Sequence, residues 1–445
     1  MRNSETQESE LGGLQNQLSY KALPLPVPPP SVRFYRFGDG GVLHLNGSSK
    51  IWVLNALSAL IWCLLDEVAN REILADRVAH IFRINKEKAL LDIKVALGAF
   101  DREGLFSRIP LVEVQDQIDN WDVTATGPRL FEPKNWTLRR FFRVANHVFE
   151  FCCQHGKLGQ EFTGHMAHLA LNSETPCDSR LAVVPGKGGA NTWDIYVDDQ
   201  GFREGLPENQ VLPHLATLFF VRACETLKEN LLFHAAVLEK NDTTVMFPGE
   251  AGSGKTTLAA VLMKHGYRFF SDEIAVLNAK TLCISPLPLP MSIKQGAVGP
   301  LSGYYPGLAQ HPVHLRADGK MVRYVSPSPS NLPESLDVST PVHSVVFPKY
   351  REGAATNLTS LDKMDALQRL ARTGSSNRYL TDQDVAAIIS LVEKSSSYEL
   401  IYAEFSDAIA LLEKHVFACS PSPRWATTSC RKIRRLFPSP STTSD

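Results

Sequence analysis

The chain has 445 residues, with 46 lysines and arginines against 47 aspartates and glutamates, a formal net charge of −1. Its hydrophobic content of 44% and charged content of 21% sit near the globular averages of about 45–50% and about 25%. Wholesale disorder is excluded, and the length has room for two to four domains at ~100–200 residues each. Near-neutral charge excludes a protein built chiefly to coat nucleic acid or an acidic membrane, since both need a large basic surplus.

From the N-terminus, MRNSETQESELGG is polar and lacks the apolar core of a signal peptide. Residues 1–30 read as a disordered arm followed by the stiff polyproline-type spacer Leu23–Pro30, LPLPVPPP. The eight cysteines are scattered and form no C-x-x-C pair, which points to reduced thiols in a cytoplasmic protein rather than a zinc site. The most apolar run, Ile51 to Leu65, falls short of the ~20 residues that a membrane helix needs.

Residues 31–109 read as the first folded unit. Val32–Phe37 and Gly41–Asn46 are short strands joined by the turn Gly38-Asp39-Gly40. Asn55 can cap a helix that buries Leu57, Leu60, Ile61, Leu64 and Leu65. A second helix, Arg71 to Arg83, carries Ile73, Leu74, Val78, Ile81 and Phe82 on one face. In the third, capped by Asn85 and ended by Gly104, the apolar positions are Leu90, Leu91, Ile93, Val95, Leu97 and Phe100. This is an α+β, winged-helix-like order. It resembles the PqqD family through Leu54-Asn55, Ile61-Trp62, Leu64-Leu65-Asp66, Ile73, and Asp92…Phe100…Gly104-Leu105. The resemblance implies a peptide bound as an added strand on the small sheet. A winged-helix DNA binder is the competing reading, but the third helix mixes acidic and basic residues where a DNA-facing helix would carry a basic face.

Residues 110–228 carry little chemical signal and read as an α+β accessory region. Leu181–Pro185 and Thr192–Asp198 are strand-like, Leu212–Leu227 is helical, and His147, His155, His165 and His168 show no metal-ligand spacing.

Residues 229–418 hold the strongest motif. The strand Thr243–Pro248 leads into Gly249-Glu250-Ala251-Gly252-Ser253-Gly254-Lys255-Thr256-Thr257 and then the helical LAAVL. This is G-x-x-x-x-G-K-T between strand and helix, a phosphate-binding loop whose glycines let backbone N–H groups face phosphate. Lys255 is placed to reach the β- and γ-phosphates of ATP, and the Thr256 hydroxyl to ligate Mg²⁺. Asp272 follows seventeen residues after Lys255, beyond a helix of about ten residues and a turn at Gly266. Asp272 and Glu273 can then divide the labour, one carboxylate holding Mg²⁺ and the other accepting a proton from an attacking hydroxyl. Upstream, His234 opens the apolar strand His234–Leu238. Between Pro286 and Pro329, Lys294, Arg316, Lys320 and Arg323 are candidates for a charge clamp, with Arg323 preferred because it lies in the strand-like run Met321 to Val325.

The stretch from Phe233 to Leu277 resembles the catalytic domain of HPr kinase/phosphorylase. The shared pattern is His234, Gly249–Thr256, Lys264-His265-Gly266-Tyr267 and Ser271-Asp272-Glu273. The resemblance extends more loosely through Pro341–Tyr350, Ser397–Phe405 and Asp407–Val416. It implies an α/β P-loop kinase domain with a mixed sheet, of the HPr-kinase/PEP-carboxykinase-like type, and homo-oligomers, since such kinases often form rings. By position, Asp272 takes the role of the base and His234 lies near the transferred phosphate. The sequence departs from the family in two places: Glu273 stands where a second Asp is usual, and the glycine-rich signature downstream is missing. The resulting expectation is an ATP- and Mg²⁺-dependent Ser/Thr kinase acting on a peptide or small protein. The alternative is an NTP-hydrolysing peptide chaperone or switch with no phosphotransfer to the peptide. Residues 419–445 form a Ser/Pro-rich tail around the basic cluster Arg431–Arg435.

Overall fold

The computed structural model describes residues 24–106, 127–128, 135–186, 191–374 and 378–418. The arm expected over residues 1–22, the junction at 109/110 and the basic tail from 419 lie outside the described residues. The chain divides into two compact units. One is the described part of Met1–Val114 together with Lys363–Ala371 and Tyr379–Val385. The other is the described part of Gln115–Asp362, Arg372–Arg378 and Ala386–Asp445. Two segments that the sequence placed in the C-terminal half therefore build the N-terminal unit.

In the first unit, β1 (Val32–Phe37), β2 (Gly40–Leu45) and β3 (Ile51–Leu54) form an antiparallel sheet in that order. The apolar run from Ile51 thus splits into a strand and a helix at Asn55. Helices α1 (Ala56–Leu64), α2 (Arg71–Phe82) and α3 (Lys86–Arg102) follow. Asn55, Asn70 and Asn85 cap them by accepting first-turn N–H groups, worth about 1 kcal/mol per cap. The core takes Leu74, Ala75 and Val78 from α2 and Ile93, Ala96, Leu97 and Phe100 from α3. Ile73, Ile81, Phe82, Leu91 and Val95, expected inside, are exposed. Ala75, Ala89 and Ala96 are buried in their place, so the core-facing stripe runs through small residues that the large apolar side chains did not mark. The proline spacer is also more than a spacer: Leu25 packs on this core and the Pro29 carbonyl accepts from Val32 N–H at 3.0 Å.

The second unit opens with a five-stranded sheet, β4 (Leu138–Val144), β5 (His147–Cys153), β6 (Ser179–Pro185), β7 (Thr192–Val197) and β8 (Gln200–Pro207), paired in that order. Helix α4 (Gly156–His165) connects β5 to its parallel neighbour β6, and α5 (Glu208–Glu225) follows β8. The four histidines scatter: His147 meets Ser179, His155 caps α4, His165 meets Ser326 and His168 meets the Pro288 carbonyl.

A nine-stranded mixed sheet carries the rest. Its strands are β9 (Asn230–Phe233), β10 (Ala235–Lys240), β11 (Thr243–Pro248), β12 (Arg268–Ser271), β13 (Ala275–Asn278) and β14 (Cys283–Ser285), with β18 (Thr340–Tyr350), β19 (Asn357–Ser360) and β20 (Ser396–Tyr402). The β10–β11 hairpin turns on Asn241 and Asp242, both at positive φ of 51° and 58°, the conformation a two-residue hairpin turn demands. A separate three-stranded sheet joins β15 (Met291–Lys294), β17 (Met321–Val325) and β16 (His314–Leu315), with α6 (Lys255–Lys264) after the phosphate loop and α7 (Gln295–Leu301) after β15. One hydrophobic core runs from Phe142 and Phe149 through Phe219 of α5 to Ile274, Leu287 and Tyr324. Residues that the sequence read as accessory therefore share their interior with the phosphate-loop half. Among the described residues no helix is long and apolar enough to cross a membrane.

Candidate active site

Sheet register assembles the site. Antiparallel pairing sets Ala235 of β10 opposite Pro248 of β11, and Val237 opposite Ser271 of β12. His234, Gly249 and Asp272 are each the next residue along or close to it, so all three meet at one end of the sheet. His234 does not itself open the strand, as the sequence suggested, but sits one residue before it, at the break between β9 and β10. Its carbonyl accepts from Gly249 N–H at 3.3 Å, which ties the break to the loop. Strand β11 runs parallel to β18, and β18 to β20. The C-terminal ends of all three therefore point the same way, the end of an α/β sheet where ligands bind.

The loop Gly249–Gly254 leads directly into α6, which begins at Lys255. Gly254 adopts φ +94°, and a Cβ there would lie 2.5 Å from the Tyr402 hydroxyl. Only glycine fits, for both reasons. The Tyr402 hydroxyl donates to the Gly254 carbonyl at 3.2 Å, and Tyr350 N–H to the Ser253 carbonyl at 3.0 Å. Two strands distant in sequence thus brace the loop, and neither tyrosine was singled out by the sequence. Lys255 is buried, and its ammonium donates to the Gly249 and Glu250 carbonyls. Burial lowers its pKa.

A cavity of about 420 Å³ opens over the loop, within the range of a small-molecule site. Its cations are Lys255, Lys294, Arg316 and Lys320, with His234, Glu273 and Thr256 alongside. Arg316 and Lys320 are both held by Asp318, at 3.2 and 2.8 Å, on the turn between β16 and β17. The preferred Arg323 is not in this lining. Its guanidinium is buried and donates to the Gln295 side chain and the Ala309 carbonyl. Strand alternation explains the correction: a mid-strand side chain goes to whichever face the pleat dictates, whereas Arg316 and Lys320 extend from a turn.

Asp272 is 7% exposed, and the Thr256 side chain hydrogen-bonds it. Its Oδ1 is buried without a hydrogen-bond partner among the described residues. Burial, and then the neighbouring Glu273 charge, raise its pKa to about 7, against the Thr256 hydroxyl, Lys255 and Lys294. His234 Nδ1 lies 3.9 Å from Glu273 Oε1. Burial and the Lys255 charge hold the imidazole below its usual pKa, with Glu273 opposing.

A Mg²⁺ ion fits this donor set. The site offers the Thr256 hydroxyl and the Asp272 and Glu273 carboxylates, with Asp272 Oδ1 unpartnered among the described residues, and Mg²⁺ is commonly held by one or two carboxylates plus substrate phosphates. No group of three His, Cys, Asp or Glu forms a metal cage among the described residues.

A second cavity, of about 90 Å³, is lined by both members of the acidic pair. Its walls are α5 and the stretch from Leu287 to Pro290, and it shares Glu273, Ser292 and Arg316 with the first. Asp272 lines the second.

The fold and site together define a nucleotide-type phosphate-binding loop on a mixed sheet, with an acidic pair at the same sheet end. No family model matches the chain. The HPr kinase/phosphorylase of Stenotrophomonas maltophilia (strain R551-3) is 29% identical over 109 residues. That match takes in 24% of this chain and 30% of the relative, so the chain spans under a third of its length. The solved Hpr(Ser) kinase/phosphatase of Coxiella burnetii aligns with 41% of this chain and 95% of its own, at 11% identity and a TM-score of 0.19. The distant sequence similarity is thus to HPr kinase/phosphorylase, the family that the sequence motifs resemble.

Proposed function

We propose that the protein is an ATP-dependent serine/threonine kinase acting on a peptide or small protein, with the phosphoryl group carried on Gly249–Thr257. The observation that supports this most is Asp272: a carboxylate beside the phosphate loop, buried, with one oxygen that has no hydrogen-bond partner among the described residues. An oxygen in that state is available to take the proton of an attacking hydroxyl. Lys255 holds the β- and γ-phosphates once its ammonium exchanges loop carbonyls for phosphate oxygens. Lys294, Arg316 and Lys320 add positive charge over the same cavity. His234, kept neutral by burial and Lys255, orients Glu273. Thr256 with Glu273 or Asp272 would hold Mg²⁺, which supplies charge neutralisation on the phosphates when bound.

The N-terminal unit serves as the peptide-capturing element. Its PqqD-like order of sheet and three helices supports this, as does β1, which among the described residues pairs on one side only, with β2. Tethering a captured peptide to the kinase raises its local concentration, on the order of millimolar for short flexible linkers.

Incubation with γ-labelled ATP and candidate serine- or threonine-containing peptides tests the proposal. Label on a peptide serine or threonine is the expected result. Nucleotide consumed with no label on any peptide would reject it in favour of an NTP-driven switch.

A further inference from the structure

The two cavities that meet at the acidic pair differ in chemistry. The one over the phosphate loop is cationic; the one behind Asp272 is walled by Pro213, Ala216, Phe219 and Phe220 of α5 and by Leu287 and Leu289. Nothing in nucleotide binding uses this apolar space, yet Asp272, the proposed base, lines it. The shared residues Glu273, Ser292 and Arg316 form the junction. In phosphoryl transfer the attacking and leaving oxygens lie roughly in line. With the leaving nucleotide on the loop side, the acceptor enters from the other.

We propose that this apolar cavity is the acceptor subsite and that it selects a peptide carrying an aliphatic residue next to the reacting serine or threonine. The assignment rests on the kinase reading. Size chooses the occupant: an apolar cavity of about 150 Å³ admits benzene, and this one, at about 90 Å³, suits an aliphatic side chain smaller than an aromatic ring. Seating that side chain against α5 brings the neighbouring hydroxyl to the junction. There the hydroxyl oxygen bonds to the γ-phosphorus of ATP as the γ-phosphorus–oxygen bond to ADP breaks, and Asp272 takes the hydroxyl proton. Arg316, which reaches the Ser292 hydroxyl at 3.5 Å, faces the phosphoryl group as it passes between the cavities. The region before residue 228 thereby gains a role, since α5 supplies most of the wall.

The experiment measures kcat/KM of the full-length protein on serine peptides whose flanking residue is Val or Leu, Gly, Asp or Trp. The expected result is a preference of about tenfold or more for Val or Leu, the scale an apolar pocket achieves. Ala216→Phe, which fills the cavity, should erase that preference while nucleotide affinity keeps its wild-type value. Leu289→Ala, which widens it, should move the preference toward larger flanking residues and guards against misfolding of the first variant. Transfer without preference, or a preference unchanged in both variants, overturns the assignment and leaves the kinase reading standing. Label on none of the peptides overturns both.

Discussion

The two sides of the acidic pair push Asp272 in opposite directions. On the loop side, the Thr256 hydroxyl, Lys255 and Lys294 favour the carboxylate; burial and the adjacent Glu273 favour the acid. Burial wins, and the result is a group poised near neutrality, at about 7. A carboxylate facing only the cationic side would titrate far lower and be a poor base; one facing only the apolar side would stay protonated. On the proposed kinase reading, the position between the two suits it to act as the base, since catalytic efficiency peaks when the pKa lies near the operating pH.

Asp272→Asn breaks the comparison most directly. Transfer to peptide should fall by about 10²–10⁴-fold, measured as labelled product under saturating nucleotide. The same change should stabilise the fold. Because the native carboxyl binds its proton more tightly than the unfolded chain, stability falls as pH rises from about 4 to about 7. Above that the penalty is complete, at most about 4 kcal/mol. Asparagine removes it, so the variant should melt higher at pH 8 and by a smaller margin at pH 5. A variant that loses transfer with no gain in melting temperature contradicts the buried, raised carboxyl. On the cationic side, Lys255→Ala should cost about 10²–10³-fold in turnover, as for loss of one charge-stabilising donor. Nucleotide affinity, read by calorimetry, should fall with it.

How much of this was readable in the sequence depended on how local each cause is. Asn55 and Asn85 were legible as caps because a cap acts within three residues. The Gly249–Thr256 loop was legible because its whole mechanism lies in one short segment. Tyr350 and Tyr402 were not, since they reach the loop through parallel pairing of β11, β18 and β20, whose register no local pattern encodes. Helix α5 was legible over Leu212–Leu227, but its role as a cavity wall was not, because its packing depends on Phe219 stacking on Phe149 at 4.2 Å from a distant strand. Arg323 misled because strand character predicts burial of alternate side chains without saying which face holds the ligand.

Gly254→Ala sharpens the loop side. Its positive φ and the contact with Tyr402 make strain of about 1–3 kcal/mol the expected cost, read as a lower melting temperature with weakened nucleotide binding. Tyr402→Phe in the same background should relieve part of the clash, because the hydroxyl oxygen is the nearest atom to the added Cβ. No recovery in the double variant would show that backbone conformation alone sets the requirement.

The pH profile gives a gentler test, since it changes no residue. With the free protein's Asp272 titrating near 7, kcat/KM should climb about tenfold between pH 6 and pH 8, because only the deprotonated form accepts the hydroxyl proton. Asp272→Glu keeps the acid but shifts its place between the cavities, so a residual profile with a moved inflection is expected.

The smallest effect belongs to Lys320. Its ammonium lines the loop-side cavity but is half exposed and paired with Asp318, and exposed ion pairs contribute about 0.2–1 kcal/mol. Lys320→Ala should therefore raise KM for nucleotide by about two- to fivefold at low salt and leave kcat alone, because its charge acts on the bound phosphates equally before and during transfer. The defect should shrink as salt rises past about 0.15 M, where the screening length is about 8 Å. The peptide preference, set on the apolar side, should not move at all. A change in that preference on removing Lys320 would mean that the two cavities act as one site.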